Sequence, residues 1–366
     1  MREEPNSTQG HLAFLLPSMG GGGAERLTIE LMRGCLERGH SVDLVLVRRE
    51  GEWLASVPKE VRIIDLGADR LLQAARPLRA YLRRERPAGM LAAMWPLTTI
   101  AIGAAMGLRP RPRIVVADHG VLSEEYGDGF LQSLGLRLAL AGTYRLADGI
   151  VGVSKGQCAD TARLAMLPRS AITAVANPVP PPASAASRDA WKGAVGKRIL
   201  TVGNLKPAKN HRLLIDAFAR VAQQMEATLA IVGSGPERAV IERQVRTAGL
   251  TGKVLLPGFV PEPGKWYAGA DLFALSSSRE SLGNVLVEAL HFGLPVVATD
   301  CPVGPAEVLG NGRWGRLVPP DDTETFARAM MEALSTEHNR APLMARAADF
   351  DTDRAVDAYL ERLLGS

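Results

Sequence analysis

Short apolar runs, each followed by a turn and usually by a helical pattern, recur along nearly the whole chain. In the first half they fall at His11–Pro17, Val42–Val47, Val61–Leu66, Met90–Trp95, Arg113–His119, Gly149–Ser154 and Ala171–Ala176. Several are near-continuous rather than alternating, the pattern of strands buried on both faces of a parallel sheet. Parallel neighbours cannot be joined by hairpins and need crossovers, usually helices. The first crossover is legible as an amphipathic helix, Ala24–Arg38, closed by Gly39 as a left-handed cap.

The rhythm breaks once, at 176–198, "ANPVPPPASAASRDAWKGAVGKR", which reads as an interdomain linker and a candidate hinge. It restarts with strand candidates Ile199–Val202, Leu229–Val232, Val254–Pro257, Leu272–Ser276, Val296–Ala298 and Gly315–Val318. The expected fold class is α/β: two doubly wound Rossmann-like domains facing across a cleft, with ligand at the carboxyl ends of the strands. The expected boundaries are 1–180, a linker 181–197, a second domain 198–350, and a C-terminal helix 351–366 able to pack back on the first domain. A length of 366 residues is comfortable for two domains.

Composition narrows the function. No window reaches 18 uninterrupted apolar residues, so no spanning helix is expected. The polar start MREEPNSTQG does not read as a signal peptide. Cys35, Cys158 and Cys301 are odd in number and far apart, which fits free thiols in a reducing cytosol. No Cys/His spacing resembles a zinc site. Asp351-Thr-Asp353 precedes a helical pattern and reads as a cap rather than a metal site. The net charge of +4 is uneven: residues 76–113 hold eight arginines (76, 79, 83, 84, 86, 109, 111, 113) against the single acid Glu85. Such a patch reads either as a solvated helix face or as a surface for anionic lipid or an acidic acceptor. Nucleic acid is not expected, because no recognised motif or basic–aromatic interleaving is present.

The glycine turns carry the chemistry. "PSMGGGGAER" places Gly20–Gly23 between a strand and a helix, where backbone can approach an anion. The dinucleotide fingerprint fails, because Glu25 stands where its third glycine belongs. "TVGNLKPAKNHRLLIDAF" ends a strand in Gly203 and brings Lys206 and Lys209 to a helix start, where a lysine can neutralise phosphate or simply face solvent. "IVGSGPERAVIE" repeats the form with Gly233 and Gly235. In "RESLGNVLVEALHFGLPVVATD" a strand is followed by Glu280, then a helix start at Gly283 or Asn284, then Glu288. A helix start favours phosphate. Glu288 lies roughly 6–8 Å further along the axis at 1.5 Å per residue. Two hydroxyl acceptors flanking an anion site suit a sugar–diphosphate–ribose ligand.

The Glu280–Glu288 segment resembles the E-x7-E motif of retaining GT-B glycosyltransferases of family four. "GGGAERLTIELMRGCLERGHSV", "VGNLKPAKN", "GSGPER", "LPGFV" and "GRLVPPDD" resemble that family in order, over most of the chain. The resemblance implies that the first domain is the acceptor side and the second binds a nucleotide-sugar donor. It implies that Glu288 binds the donor ribose and that Glu280 contacts the sugar hydroxyls. Ser281 would shape the sugar pocket. Lys209 and the backbone of Leu282, Gly283, Asn284 and Val285 would hold the diphosphate. Gly22 and Gly23 would lie near it, with Gly203, Asn204 and Lys206 in the phosphate loop. Phe259 and Val260 would meet the base, and His119, in "VVADHG", would sit beside the transferred sugar. One departure is Asn204, where the family often has arginine.

The implied activity is retaining transfer of a hexose or N-acetylhexosamine from a nucleotide sugar, with UDP the expected nucleotide. No cofactor or metal is expected. The acceptor would be a lipid-linked or membrane-associated glycan, and the location the cytoplasm or the inner face of its membrane. A catalytically silent nucleotide- or glycan-binding scaffold and a sugar-nucleotide epimerase of the same fold stand as alternatives.

Overall fold

A computed structural model of the chain describes residues 10–20, 22–126, 129–181 and 188–365. These form two compact units, one running to Pro178 and resuming at Thr352, the other spanning Val179–Asp351.

The first unit contains strands β1 (His11–Leu16), β2 (Ser41–Leu46), β3 (Arg62–Asp65), β4 (Gly89–Ala93), β5 (Arg113–Asp118), β6 (Gly149–Gly152) and β7 (Thr173–Ala174). Its helices are α1 (Gly23–Glu37), α2 (Ala75–Glu85), α3 (Leu97–Ala105), α4 (Leu122–Tyr126), α5 (Phe130–Thr143) and α6 (Lys155–Ala165). The sheet is wholly parallel in the order β3-β2-β1-β4-β5-β6-β7. Alternate residues of β1 feed opposite cores: Ala13 and Leu15 join one, Leu12, Phe14 and Leu16 the other. That period of two is why both faces must be covered. Gly39 takes φ 82° just after α1, as the αL cap requires.

The second unit contains β8 (Lys197–Val202), β9 (Ala227–Val232), β10 (Val254–Gly258), β11 (Leu272–Leu275), β12 (Val296–Thr299) and β13 (Arg316–Val318). Its helices are α7 (His211–Gln224), α8 (Arg238–Thr247), α9 (Gly264–Gly269), α10 (Asn284–His291), α11 (Pro305–Val308), α12 (Thr323–Ser335) and α13 (Arg340–Ala347). This sheet is also parallel, in the order β10-β9-β8-β11-β12-β13. In each sheet the first strand sits in the interior, so strand order reverses beside it. That reversal opens a crevice outside the carboxyl ends.

A last helix, α14 (Thr352–Leu364), belongs to the first unit and packs on α1. Gly34 lets Val356 approach, since a Cβ there would overlap its methyl group. Arg38 pairs with Asp353 at 3.1 Å and with Asp357 at 2.8 Å.

Composition reads 181–197 as linker, yet its described end is built into the second unit. Trp191 is buried, meets Trp266 edge-on at 5.2 Å and donates Nε1–H to the Trp266 carbonyl at 3.0 Å. Lys197 already pairs in β8. A single tryptophan outweighs the surrounding Pro, Ala and Ser because it buries a large apolar surface and finds a partner for its one polar atom. Residues 182–187 lie outside the described set.

Candidate active site

In the second unit the turns at the carboxyl edge are laced to one another. Leu205 N–H donates to Ser234 O at 2.8 Å, Glu237 N–H to Leu205 O at 2.9 Å, and Gly233 N–H to Gly258 O at 2.9 Å. This close approach explains the glycines. A Cβ on Gly233 would overlap the Gly203 carbonyl, and one on Gly235 would overlap the Leu205 backbone.

Because β11 lies beside β8, the β11 turn is tied to the β8 turn as well. Ser276 Oγ donates to Lys209 O at 2.8 Å, and Ser278 N–H to Ala208 O at 2.9 Å. These bonds bring together two side chains 71 positions apart: Lys209 Nζ lies 2.5 Å from Glu280 Oε1. Ser277 Oγ donates to the same oxygen at 2.7 Å. The Glu280 side chain is only 9% exposed and Lys209 24%, so little water screens the pair.

Helix α10 starts at Asn284 after Gly283, which takes φ 91° and supplies no side-chain cap. Leu282 and Gly283 are buried, and Ser281, Asn284 and Val285 are partly exposed. Gly304 packs on the Leu282 backbone, where a Cβ would not fit. Glu288, in the second turn, is 4% exposed, so the solvated-face reading of this residue fails. Gly203 and Asn204 are partly exposed in the β8 turn, while Lys206 projects into solvent. Phe259 and Val260 directly follow β10 and are half-buried.

In the first unit, Gly22 caps α1 with extended backbone and Gly23 is its first residue. The Glu25 carboxylate folds over Gly22, taking up space a Cβ would need. A carboxylate at a helix start complements the helix dipole. Gly21 lies outside the described set. His119 follows β5 and is half-buried, with Nδ1 unpartnered. Burial pushes its imidazole down to about 4, so the ring is neutral near pH 7.

Sequence reading passed over three groups. His211 opens α7, is buried and has an unpartnered Nδ1. Burial, reinforced by the Lys209 charge, pushes it down to about 4. Ser277 supports Glu280; its only trace in the sequence is a serine run after a strand. Asp118 directly precedes His119, is 1% exposed, and its Oδ2 accepts from Tyr144 OH at 2.5 Å. Burial pushes its carboxyl up to about 6. Among the described residues no group of His, Cys, Asp and Glu could hold a metal ion, and no helix is long and apolar enough to cross a membrane.

Residues 21–181 match the family described as Glycosyltransferase Family 4, and residues 196–336 match Glycosyl transferases group 1. Over 175 residues the chain is 34% identical to the N-acetylgalactosamine-N,N'-diacetylbacillosaminyl-diphospho-undecaprenol 4-alpha-N-acetylgalactosaminyltransferase of Campylobacter jejuni, covering 46% of this chain and 47% of that one. It is 31% identical to the lipopolysaccharide core biosynthesis glycosyltransferase LpsE of Rhizobium meliloti, covering 45% and 49% respectively. The chain thus spans about half the length of these curated relatives. The crystal structure of Anabaena Alr3699/HepE with UDP and glucose matches the fold with a TM-score of 0.83 at 21% identity, over 96% of this chain and 99% of that one. With two parallel Rossmann-like units and matches to both halves of its architecture, the chain belongs to the GT-B glycosyltransferases of the family-four type.

Proposed function

We propose that this protein transfers a hexose or N-acetylhexosamine from a nucleotide sugar to a glycan acceptor in polysaccharide or glycolipid synthesis. The observation that carries this reading is the carboxyl edge of the second sheet. There a lysine, a carboxylate and an uncapped helix start stand together, with buried Glu288 one turn on. We assign Glu288 to the donor ribose, Glu280 and Ser281 to the sugar, and Phe259 and Val260 to the base. Lys209, Gly203, Asn204, Lys206 and the backbone of 282–285 are assigned to the diphosphate. From the first unit we assign His119 to the transferred sugar, and Gly22 and Gly23 to the diphosphate.

The chemistry is departure of a nucleoside diphosphate from an anomeric carbon. Negative charge grows on the leaving oxygen, and fixed donors aimed there lower the barrier. Lys209, held by the Ser276 and Ser278 tethers, is such a donor without needing a metal. A neutral His119 can exchange hydrogen bonds with sugar hydroxyls without adding charge. Retention of configuration is part of the proposal and comes from the family resemblance. UDP is the proposed nucleotide, supported by the UDP and glucose complex of the Anabaena protein. A lipid-linked acceptor is supported by the diphospho-undecaprenol in the Campylobacter enzyme's name, and contact with anionic membrane at the cytoplasmic face by the arginines of 76–113.

One observation favours the silent-scaffold alternative: Asn204 stands where the family often places arginine, and Lys206 points to solvent. Thermal shift against UDP, GDP, ADP, their sugar conjugates and NADH, with Glu288→Ala in parallel, followed by turnover of the bound sugar nucleotide with a glycan acceptor, tests both readings. A ligand at a hundred times its Kd adds about 2.7 kcal/mol. A shift with one nucleotide family, weakened in Glu288→Ala, is expected. A shift with none of them removes the donor reading, and binding without turnover leaves the scaffold.

A further inference from the structure

We propose that a pocket between the ends of α2 and α3 binds a phosphate group, separately from the nucleotide-sugar residues. The pocket, of about 270 Å³, is lined by Arg79, Leu82, Arg83 and Arg86 on one side and by Gly107–Pro110 on the other. Four of its lining residues are arginines, Arg79, Arg83, Arg86 and Arg109, and no acid is among them.

Arg76 is exposed and outside the pocket lining, and the structure sorts the other seven arginines of this region by occupation. Arg84 pairs with Glu85 at 2.6 Å and Arg111 with Asp148 at 2.7 Å. Arg113 donates to Arg362 O at 3.1 Å. Arg79 donates to Ala104 O at 2.9 Å and Met106 O at 2.7 Å, which ties α2 to the end of α3. Arg86 caps α2 in the left-handed region, φ 48°, with Nε directed at Arg83 O at 3.4 Å. Among the described residues Arg83 and Arg109 pair with no carboxylate, and both are exposed.

Charge decides the ligand class. Each helix carboxyl end supplies roughly half a negative charge, so two of them offset about one of the four guanidinium groups. Of the roughly three charges left, a single carboxylate offsets one, whereas a phosphate offsets up to about two and offers more acceptors to planar guanidinium forks. The anchoring of Arg79 also fixes one wall of the pocket in advance. The carboxyl ends of helices in a parallel α/β layer lie at the amino edge of the sheet, whereas Gly22 and His119 follow strands at the carboxyl edge of the same sheet. The pocket is therefore not a subsite of those residues. This deepens the membrane reading above and rests on it only for the source of the phosphate, a lipid headgroup or a free ion.

The test has two arms. Pyrophosphate is titrated calorimetrically into the full chain, into Arg83→Gln/Arg109→Gln, into Lys209→Ala and into Arg243→Gln/Arg246→Gln. Binding should survive in Lys209→Ala and in the last pair, which removes equal charge from α8, and weaken roughly tenfold per guanidinium lost in the first pair. Unchanged affinity in Arg83→Gln/Arg109→Gln, or an equal loss in the α8 pair, overturns the proposal. Sedimentation with phosphatidylcholine vesicles, with and without phosphatidylglycerol, forms the second arm. Capture that requires phosphatidylglycerol and Arg83/Arg109 names a lipid headgroup. Pyrophosphate binding without vesicle capture keeps the pocket, names a free phosphate, and removes the membrane part of the functional reading.

Discussion

Lys209 and Glu280 meet at 2.5 Å across neighbouring turns of one sheet edge, with Ser277 on the same carboxylate oxygen. Ser277 is a local partner of Glu280, but the cation comes from 71 positions away. The pair exists because β8 and β11 are adjacent and their following turns are bonded through Ser276 and Ser278. A preset cation costs no reorganisation when charge develops on a leaving phosphate. Lys209→Ala should therefore lower kcat about 10²–10³-fold, as loss of one fixed donor does. Single-turnover rates at saturating donor measure this. A change confined to KM would place Lys209 in ground-state binding only.

The nested glycines make a prediction about stability. Gly233→Ala needs both a positive φ, 152°, and space that the Gly203 carbonyl fills. It should cost about 3 kcal/mol or more, from strain and displaced backbone together. Gly252→Ala also sits at positive φ, 82°, but meets nothing within 4 Å, and should cost only about 1 kcal/mol. Urea midpoints at constant m compare the two; equal losses would contradict the nesting.

Trp191→Ala should destabilise the second unit by about 3–5 kcal/mol, the usual cost of emptying a buried aromatic site. The Trp266 carbonyl also loses its donor. Calorimetric scans should show the loss in one transition. No loss would return 188–197 to the role of linker.

Asp118 gives a pH signature. Its carboxyl, near 3.9 when unfolded, is pushed up to about 6 by burial in the folded chain. The folded form then holds its proton over a window in which the unfolded form has lost it. The stability contributed by the protonated acid is complete below about 3.9 and is lost as pH rises through about 6. Asp118→Asn should flatten this part of the stability curve and raise stability at pH 7 by on the order of 2–3 kcal/mol. Denaturation at pH 4, 5, 6 and 7 tests it; a variant that parallels the parent at every pH would refute the assignment.

Much of the fold was legible because buried parallel strands leave nearly continuous apolar runs that few other elements imitate. Each expected strand formed, and the helix start at Gly283–Asn284 fell where its turn residues indicated. The basic stretch 76–113 read as one patch, yet Asp148 neutralises Arg111 from beyond it. Linear counting does not see a partner that arrives from a different strand. Trp191 was masked for a similar reason, because its binding partner Trp266 lies 75 residues further on.

The sequence by itself determined two parallel α/β units, the glycine turns, and which side chains stand at strand ends. Those features follow from local rules: period two along a strand, φ limits at each residue, and caps at each helix. Only the tertiary structure decided which ends are neighbours. Strand order places β8 between β9 and β11, and so chooses Lys209 as the partner of Glu280. It buries Glu288 while leaving Lys206 in solvent, and sets Arg83 and Arg109 in a pocket without a carboxylate. Pairing order and burial are sums over contacts between distant segments, so no window of the chain contains them.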